Sequence, residues 1–99
     1  MPGLRLTKQA QEDLRDIGRY TQRMWGREQR NRYLTQIDAA LHLIARNPHI
    51  GRACDAIRPG YRKYPVGRHI IFYRVTSDAI AIIRILHERM DVDTHLSET

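Results

Sequence analysis

YRKYPVGRHIIFYRVTSDAIAIIRILHERMD, residues 61–91, reads as three strands joined by two tight turns. Tyr61–Val66 is the first and Gly67 punctuates it. Arg68–Val75 is the second, rich in β-branched and aromatic side chains. Thr76-Ser77-Asp78 is a polar turn and Ala79–Leu86 the third strand. Connections this short join antiparallel neighbours, because a parallel crossover needs a dozen or more residues. In the second strand His69, Ile71, Tyr73 and Val75 are expected on one face, and Arg68, Ile70, Phe72 and Arg74 on the other. In the third, strict alternation groups Ala81, Ile83, Ile85 and His87 against Ile80, Ile82, Arg84 and Leu86. Both faces carry apolar residues, so neither is wholly polar. One face is expected to rest on helices, and the other, with arginines among apolar residues, to be a binding surface.

Outward from this stretch, the N-terminal half supplies those helices. Leu4-Arg5-Leu6 is short and alternating, a candidate first strand. Thr7 is placed to cap a helix that runs to Trp25 and stops at Gly26. Ala10, Leu14, Ile17, Tyr20 or Thr21, and Met24 fall on one side of it, opposite Gln11, Arg15, Arg19 and Arg23. A second helix begins near Glu28 and carries Leu34, Ile37, Leu41 and Ile44 in a stripe widened by Ala40 and Ala45. It ends at Arg46, since the residue before Pro48 is pushed out of the helical region. The short link predicts a helical hairpin. Residues 47–60 form a loop with two prolines and two glycines, and residues 92–99 a polar tail expected to fray. The order is β-α-α-β-β-β. The fold class is α+β, a helical hairpin packed on a small, mainly antiparallel sheet, and residues 1–99 make a single domain.

Ninety-nine residues leave no room for a second core. The single cysteine, Cys54, permits no internal disulfide and fits a reducing compartment. No apolar leader or membrane-length run is present, so a soluble cytoplasmic protein is expected. The net charge is +6, and all of the 17 basic residues except Lys8 and Lys63 are arginine. The body is more basic still, because Asp91, Asp93 and Glu98 sit in the last ten residues. Arginine's planar fork suits carboxylates and phosphates, so an acidic partner or nucleic acid fits the composition, as does a generally basic surface. Arg27, Arg30 and Arg32 crowd the positive end of the second helix, a broken local rule that can mark a functional surface or be compensated by Glu28 and solvent.

Most enzymatic chemistry lacks its residues. His87, Asp91, Asp93 and His95 are metal-ligand types, but no second cluster completes them, and neither a metal nor another cofactor is expected. Cys54 with His49 is not a reliable nucleophile and base pair without spatial proximity. There is no phosphate loop and no nucleophile elbow. The serious enzymatic option is acid–base cleavage of RNA, with Arg62, Arg84 and Arg89 stabilising charge and His87 moving the proton; the alternative is that Arg84 pairs with a carboxylate and that His69 and His87 are partly buried packing residues. Direct nucleic-acid binding is not expected, since no helix-turn-helix, zinc finger or RNA-recognition motif is present. Tyr61, Tyr64 and Tyr73 alternate with basic residues as a stacking platform would, and also as core packing would.

Pro48-x-x-Gly51-Arg52, then Arg62, the run Gly67–Val75 and Ile82-Ile83-Arg84-Ile85-Leu86-His87-Glu88-Arg89-x-Asp91 resemble, in order, the ParE branch of the RelE/ParE toxin superfamily. The resemblance covers nearly the whole chain. It implies the toxin of a type II toxin–antitoxin pair, bound by an acidic ParD-like antitoxin that folds on binding and acting on DNA gyrase without catalysis. The RelE branch instead cuts mRNA on the ribosome with basic residues on the sheet and a C-terminal tyrosine. Here Ile70 stands where a basic residue is expected and no tyrosine follows Tyr73, which favours the non-catalytic branch. If the chain were a nuclease, Arg62, Arg84, His87 and Arg89 would carry the chemistry. As a binder it would use Arg62, Arg68, Arg74, Arg84 and Arg89, with Tyr20, Met24 and Trp25 along the hairpin. A decayed binding module is the third reading.

Overall fold

The structure is a computed structural model that describes residues 3–90 and 95–96. Its elements are β1 (Gly3–Leu6), α1 (Lys8–Trp25), α2 (Arg27–Arg46), β2 (Arg52–Ala53), β3 (Tyr61–Val66), β4 (His69–Val75) and β5 (Ala79–His87). Thr7 caps α1 as expected. Its Oγ1 accepts from the Ala10 N–H at 3.0 Å and donates to the Ile83 carbonyl at 2.7 Å. Gly26 alone links the helices, at φ +92°, a backbone region that L side chains rarely adopt. Arg30 reaches Gln22 and Leu34 meets Gly18. Each pair is equidistant from Gly26, as an antiparallel hairpin requires.

Among the described residues five strands lie in the order β1-β5-β4-β3-β2, with β1 parallel to β5 and every other pair antiparallel. The two-residue β2 is a strand the composition did not announce: it exists by pairing Arg52 with Lys63 and Ala53 with Arg62. The helices cover one sheet face. Ile17, Ile37, Leu41 and Ile44 pack there on Ile71, Tyr73, Ile80, Ile82 and Ile85.

The expected alternation in the third strand fails at one point. Phe72 opposes Arg84 but Tyr73 opposes Ile82, so Ile83 is an extra residue in a bulge. The bulge shifts the phase: Ile80 and Ile82 share the helix-facing core with Ile85, while Ile83 and Leu86 lie in the cluster on the other face. Nor is that other face an open binding surface. Cys54, Tyr61 and Leu96 are buried with Phe72, Ile83 and Leu86, and Ile57 packs against them. Leu96 belongs to the tail expected to fray, yet it is 0% exposed. Arg58 also donates to its carbonyl. Residues 91–94 and 97–99, with Asp91, Asp93 and Glu98, lie outside the described residues. Tyr61 and Tyr73 are buried and Tyr64 packs against the main core, so the tyrosines of the sheet form no stacking platform. Among the described residues no helix is long and apolar enough to cross a membrane.

Candidate functional site

The Pro48-x-x-Gly51-Arg52 motif is a braced corner. Tyr73, fully buried, donates through its hydroxyl to the Pro48 carbonyl at 2.7 Å and accepts from the Gly51 N–H at 2.9 Å. Arg62 donates to the Gly51 carbonyl at 2.7 Å. Arg62 is thereby tied to the corner rather than presented from the sheet. Arg84 is held more tightly. Its Nε and one terminal nitrogen grip the Asp13 carboxylate at 2.9 and 3.0 Å, and both side chains are nearly buried. Asp13 also accepts the Ile85 N–H at 2.9 Å. Thr7 and Asp13 therefore satisfy the β5 edge where β1 ends. Arg74 is exposed at the far end of β4 from His69, away from the other candidates.

The remaining candidates converge. Tyr20, Trp25, Arg68, His87 and Arg89 line one cleft of about 470 Å³, with Gln29 and Tyr33 from α2 and His69 from β4. It lies between the free end of the helical hairpin and the β3–β4 turn. His69 pairs with His87 across the sheet, with rings edge-on at 5.3 Å. The Tyr33 hydroxyl sits 2.6 Å from His69 Nδ1, accepts from the Arg68 N–H at 3.1 Å and lies 3.2 Å from the Val66 carbonyl. Burial pushes the Tyr33 hydroxyl up, so it stays a phenol. Gly67 turns at φ +56°, and a Cβ there would lie 2.5 Å from the Tyr33 ring. The Arg89 N–H donates to His87 Nδ1 at 3.1 Å, which leaves the neutral ring's proton on Nε2. Trp25 is 70% exposed at the rim, while Met24, also exposed, lies outside the cleft. No local pattern joins His69 to Tyr33 and Gln29, since β4 and α2 lie far apart in the chain.

His69 is held down to about 4 from 6.5, first by burial and then by the neighbouring His87; Asp13 and Glu88 pull the other way. The unfolded chain therefore binds a proton that the fold excludes, and stability rises with pH across that interval. The contribution is fully present above about 6.5 and is lost as pH falls toward 4. Urea midpoints of the wild type should fall through this window. Those of His69→Gln should fall less, and parallel curves would refute the assignment.

A second surface lies on the outside of the hairpin. Leu14, Gly18, Leu34 and Leu41 floor a groove of about 520 Å³, and Arg15, Arg19 and Arg30 stand along it. Arg15 and Arg19 belong to the polar side of the first helix, and Arg30 to the arginines at the start of the second. A glycine inside a helix, opposite a leucine, was the available signal.

Other chemistry finds little support in the geometry. Cys54 is buried, and burial pushes its thiol up, away from the reactive thiolate. Among the described residues no group of three or more His, Cys, Asp or Glu side chains is placed to hold a metal.

The family described as ParE toxin of type II toxin-antitoxin system, parDE, matches residues 4–92. The chain belongs to the ParE toxin family. It is 49% identical to Toxin ParE1 of Mycobacterium tuberculosis over 92 residues, covering 92% of this chain and 94% of that one. Toxin ParE1 of Caulobacter vibrioides is 38% identical over 96 residues, with 97% and 99% coverage. Toxin ParE of Escherichia coli is 34% identical over 95 residues, with 94% and 91% coverage. A chain of the chromosomal ParDE TA system from P. aeruginosa shares the fold at a TM-score of 0.78 and 22% identity, covering 88% of this chain and 96% of that one. As a ParE toxin, the chain is one half of a type II toxin–antitoxin system.

Proposed function

We propose that this ParE toxin works in the cytoplasm by binding DNA gyrase without catalysing a reaction, and that an acidic ParD-like antitoxin neutralises it. The observation that carries the antitoxin half is the outer groove, whose apolar floor runs between Arg15, Arg19 and Arg30. An amphipathic helix, disordered when free, would set its apolar face on Leu14, Leu34 and Leu41 and its carboxylates on the arginines. Gly18 lets Leu34 of α2 come close to α1, so the two helices share the floor of the groove. The non-catalytic half rests on Arg62 and Arg84. Both are engaged in internal hydrogen bonds, and Ile70 packs in the second core cluster. A nuclease built on the four sheet residues would find two of them occupied.

The test is a supercoiling assay with purified gyrase. The toxin should stop supercoiling with cleaved DNA accumulating, and antitoxin should restore it. The charge-reversed double variant Arg15→Glu, Arg19→Glu should still inhibit gyrase but bind antitoxin at least about tenfold more weakly, from two desolvated charge contacts. Gyrase untouched by excess folded toxin would overturn the target. Unchanged antitoxin affinity in that variant would overturn the groove.

A further inference from the structure

The cleft between the hairpin end and the β3–β4 turn is not absorbed by the antitoxin groove, which lies on other residues of both helices. Two kinds of group face each other across it. On one side stand the aromatic rings of Tyr20 and Trp25, 54% and 70% exposed. On the other stand Arg68, Arg89 and the Nε2–H of His87. Arg68 meets Glu88 only at 3.6 Å, with most of its side chain in solvent. His69, largely neutral and braced by Tyr33, forms the back wall.

Exposed aromatic faces beside cationic donors match a ligand with a flat π-system and an anion at a short, fixed distance from it. We propose that this cleft binds one nucleotide unit of single-stranded nucleic acid, its base on Trp25 and Tyr20 and its phosphate on Arg68, Arg89 and His87. Base stacking on aromatics with arginines tracking the backbone is how single strands are held without a sequence code. The missing recognition motifs do not bear on this, because they serve duplexes or defined sequences. A carboxylate from an acidic peptide would satisfy the arginines but leave both rings uncovered, and so fits less well. Duplex DNA keeps its bases stacked inside and offers the rings nothing.

Trp25 is the chain's one tryptophan, so its fluorescence comes from one place, the rim this cleft shares with a neighbouring hollow lined by Glu28, Gln29 and Arg32, and the arginine variants below tie the signal to this cleft. Octathymidylate and octauridylate, titrated separately into the full chain at low salt, distinguish a DNA from an RNA source. Quenching by either supports the proposal, and the tighter one assigns the strand. The affinity should fall with salt at a log–log slope of about −0.7 to −1.4, as one or two neutralised phosphates on a single strand require. Arg68→Ala with Arg89→Ala should weaken binding at least about tenfold. Arg74→Ala, which removes an exposed charge elsewhere, should change it less than about twofold. His87→Gln, a smaller change, should weaken binding while the circular dichroism spectrum stays native.

Three results would overturn the proposal. They are no quenching by either oligonucleotide, equal weakening by Arg74→Ala and the double variant, and a glutamate-rich peptide that quenches and displaces the oligonucleotide. Each is separable from the gyrase and antitoxin reading, which is scored on supercoiling and on antitoxin affinity.

Discussion

Arg84→Ala should cost about 3–5 kcal/mol of folding stability, the usual range when one partner of a buried ion pair is removed. The pair is bidentate, both side chains are 13% exposed or less, and the removed cation would leave the Asp13 carboxylate nearly buried without its counter-charge. The loss spreads beyond the pair. Arg84 also reaches the His95 carbonyl, next to the buried Leu96, so the cover of the second sheet face loosens with it. Asp13→Ala should cost as much or more, since the Ile85 N–H loses its acceptor too. Replacing both, as Asp13→Leu with Arg84→Met, should recover part of the loss, because no unpaired charge remains. Urea unfolding of the three variants checks this. A drop below about 1 kcal/mol for Arg84→Ala would show that the pair is solvated and that its guanidinium is available to a partner after all.

Gly51→Ala is the second large effect, expected at about 2–4 kcal/mol from overpacking plus the strained bonds of the corner. A Cβ at Gly51 would fall 2.5, 2.7 and 2.9 Å from the Tyr73 hydroxyl and ring. The ring has nowhere to go, because Tyr73 is fully buried in the main core. Moving it breaks its bonds to Pro48 and Gly51 and releases the segment that Arg62 braces. Tyr73→Phe alone should cost less, about 1–3 kcal/mol, for one unsatisfied buried N–H and one lost donor. Added to Tyr73→Phe, Gly51→Ala should cost less than it does alone, since the nearest clash is with the missing oxygen. A thermal melt series reads this coupling, and strict additivity would place the clash elsewhere.

Much of the fold was legible because its punctuation is local. Thr7, Gly26 and Asn47-Pro48 set the helix limits to within a residue of those observed, and Gly67 and Thr76-Ser77-Asp78 set the strands. The bulge was not legible. An inserted Ile83 between two isoleucine-rich halves leaves no mark on composition, yet it reverses every side chain after it. The two-residue β2 has no pattern of its own and exists only through β3. Of the candidate site, Arg68, His87, Arg89, Tyr20 and Trp25 meet in one cleft, whereas Arg84 follows the other reading and is paired with a carboxylate. Its carboxylate partner lies 71 residues away in the chain, where no local pattern points. The family motif likewise proved to mark a braced corner at Gly51, a matter of architecture that looks the same in sequence as chemistry would.

The parallel pairing of β1 with β5 sets the timing of this molecule's birth. Residues 3–6 find their partners at 79–82, so the first strand made waits for nearly the last. The hairpin of α1 and α2 is local and can form as it leaves the ribosome, but long-range pairing must await chain closure. Until then Thr7 has only α1 to cap, Asp13 has no partner on β5, and the wall that His69 and His87 build together does not exist. A nascent chain therefore lacks the cleft that the finished sheet completes, while the groove on its helical hairpin needs only local structure. An antitoxin that recognises the hairpin could engage the chain during synthesis, before there is a finished toxin to restrain.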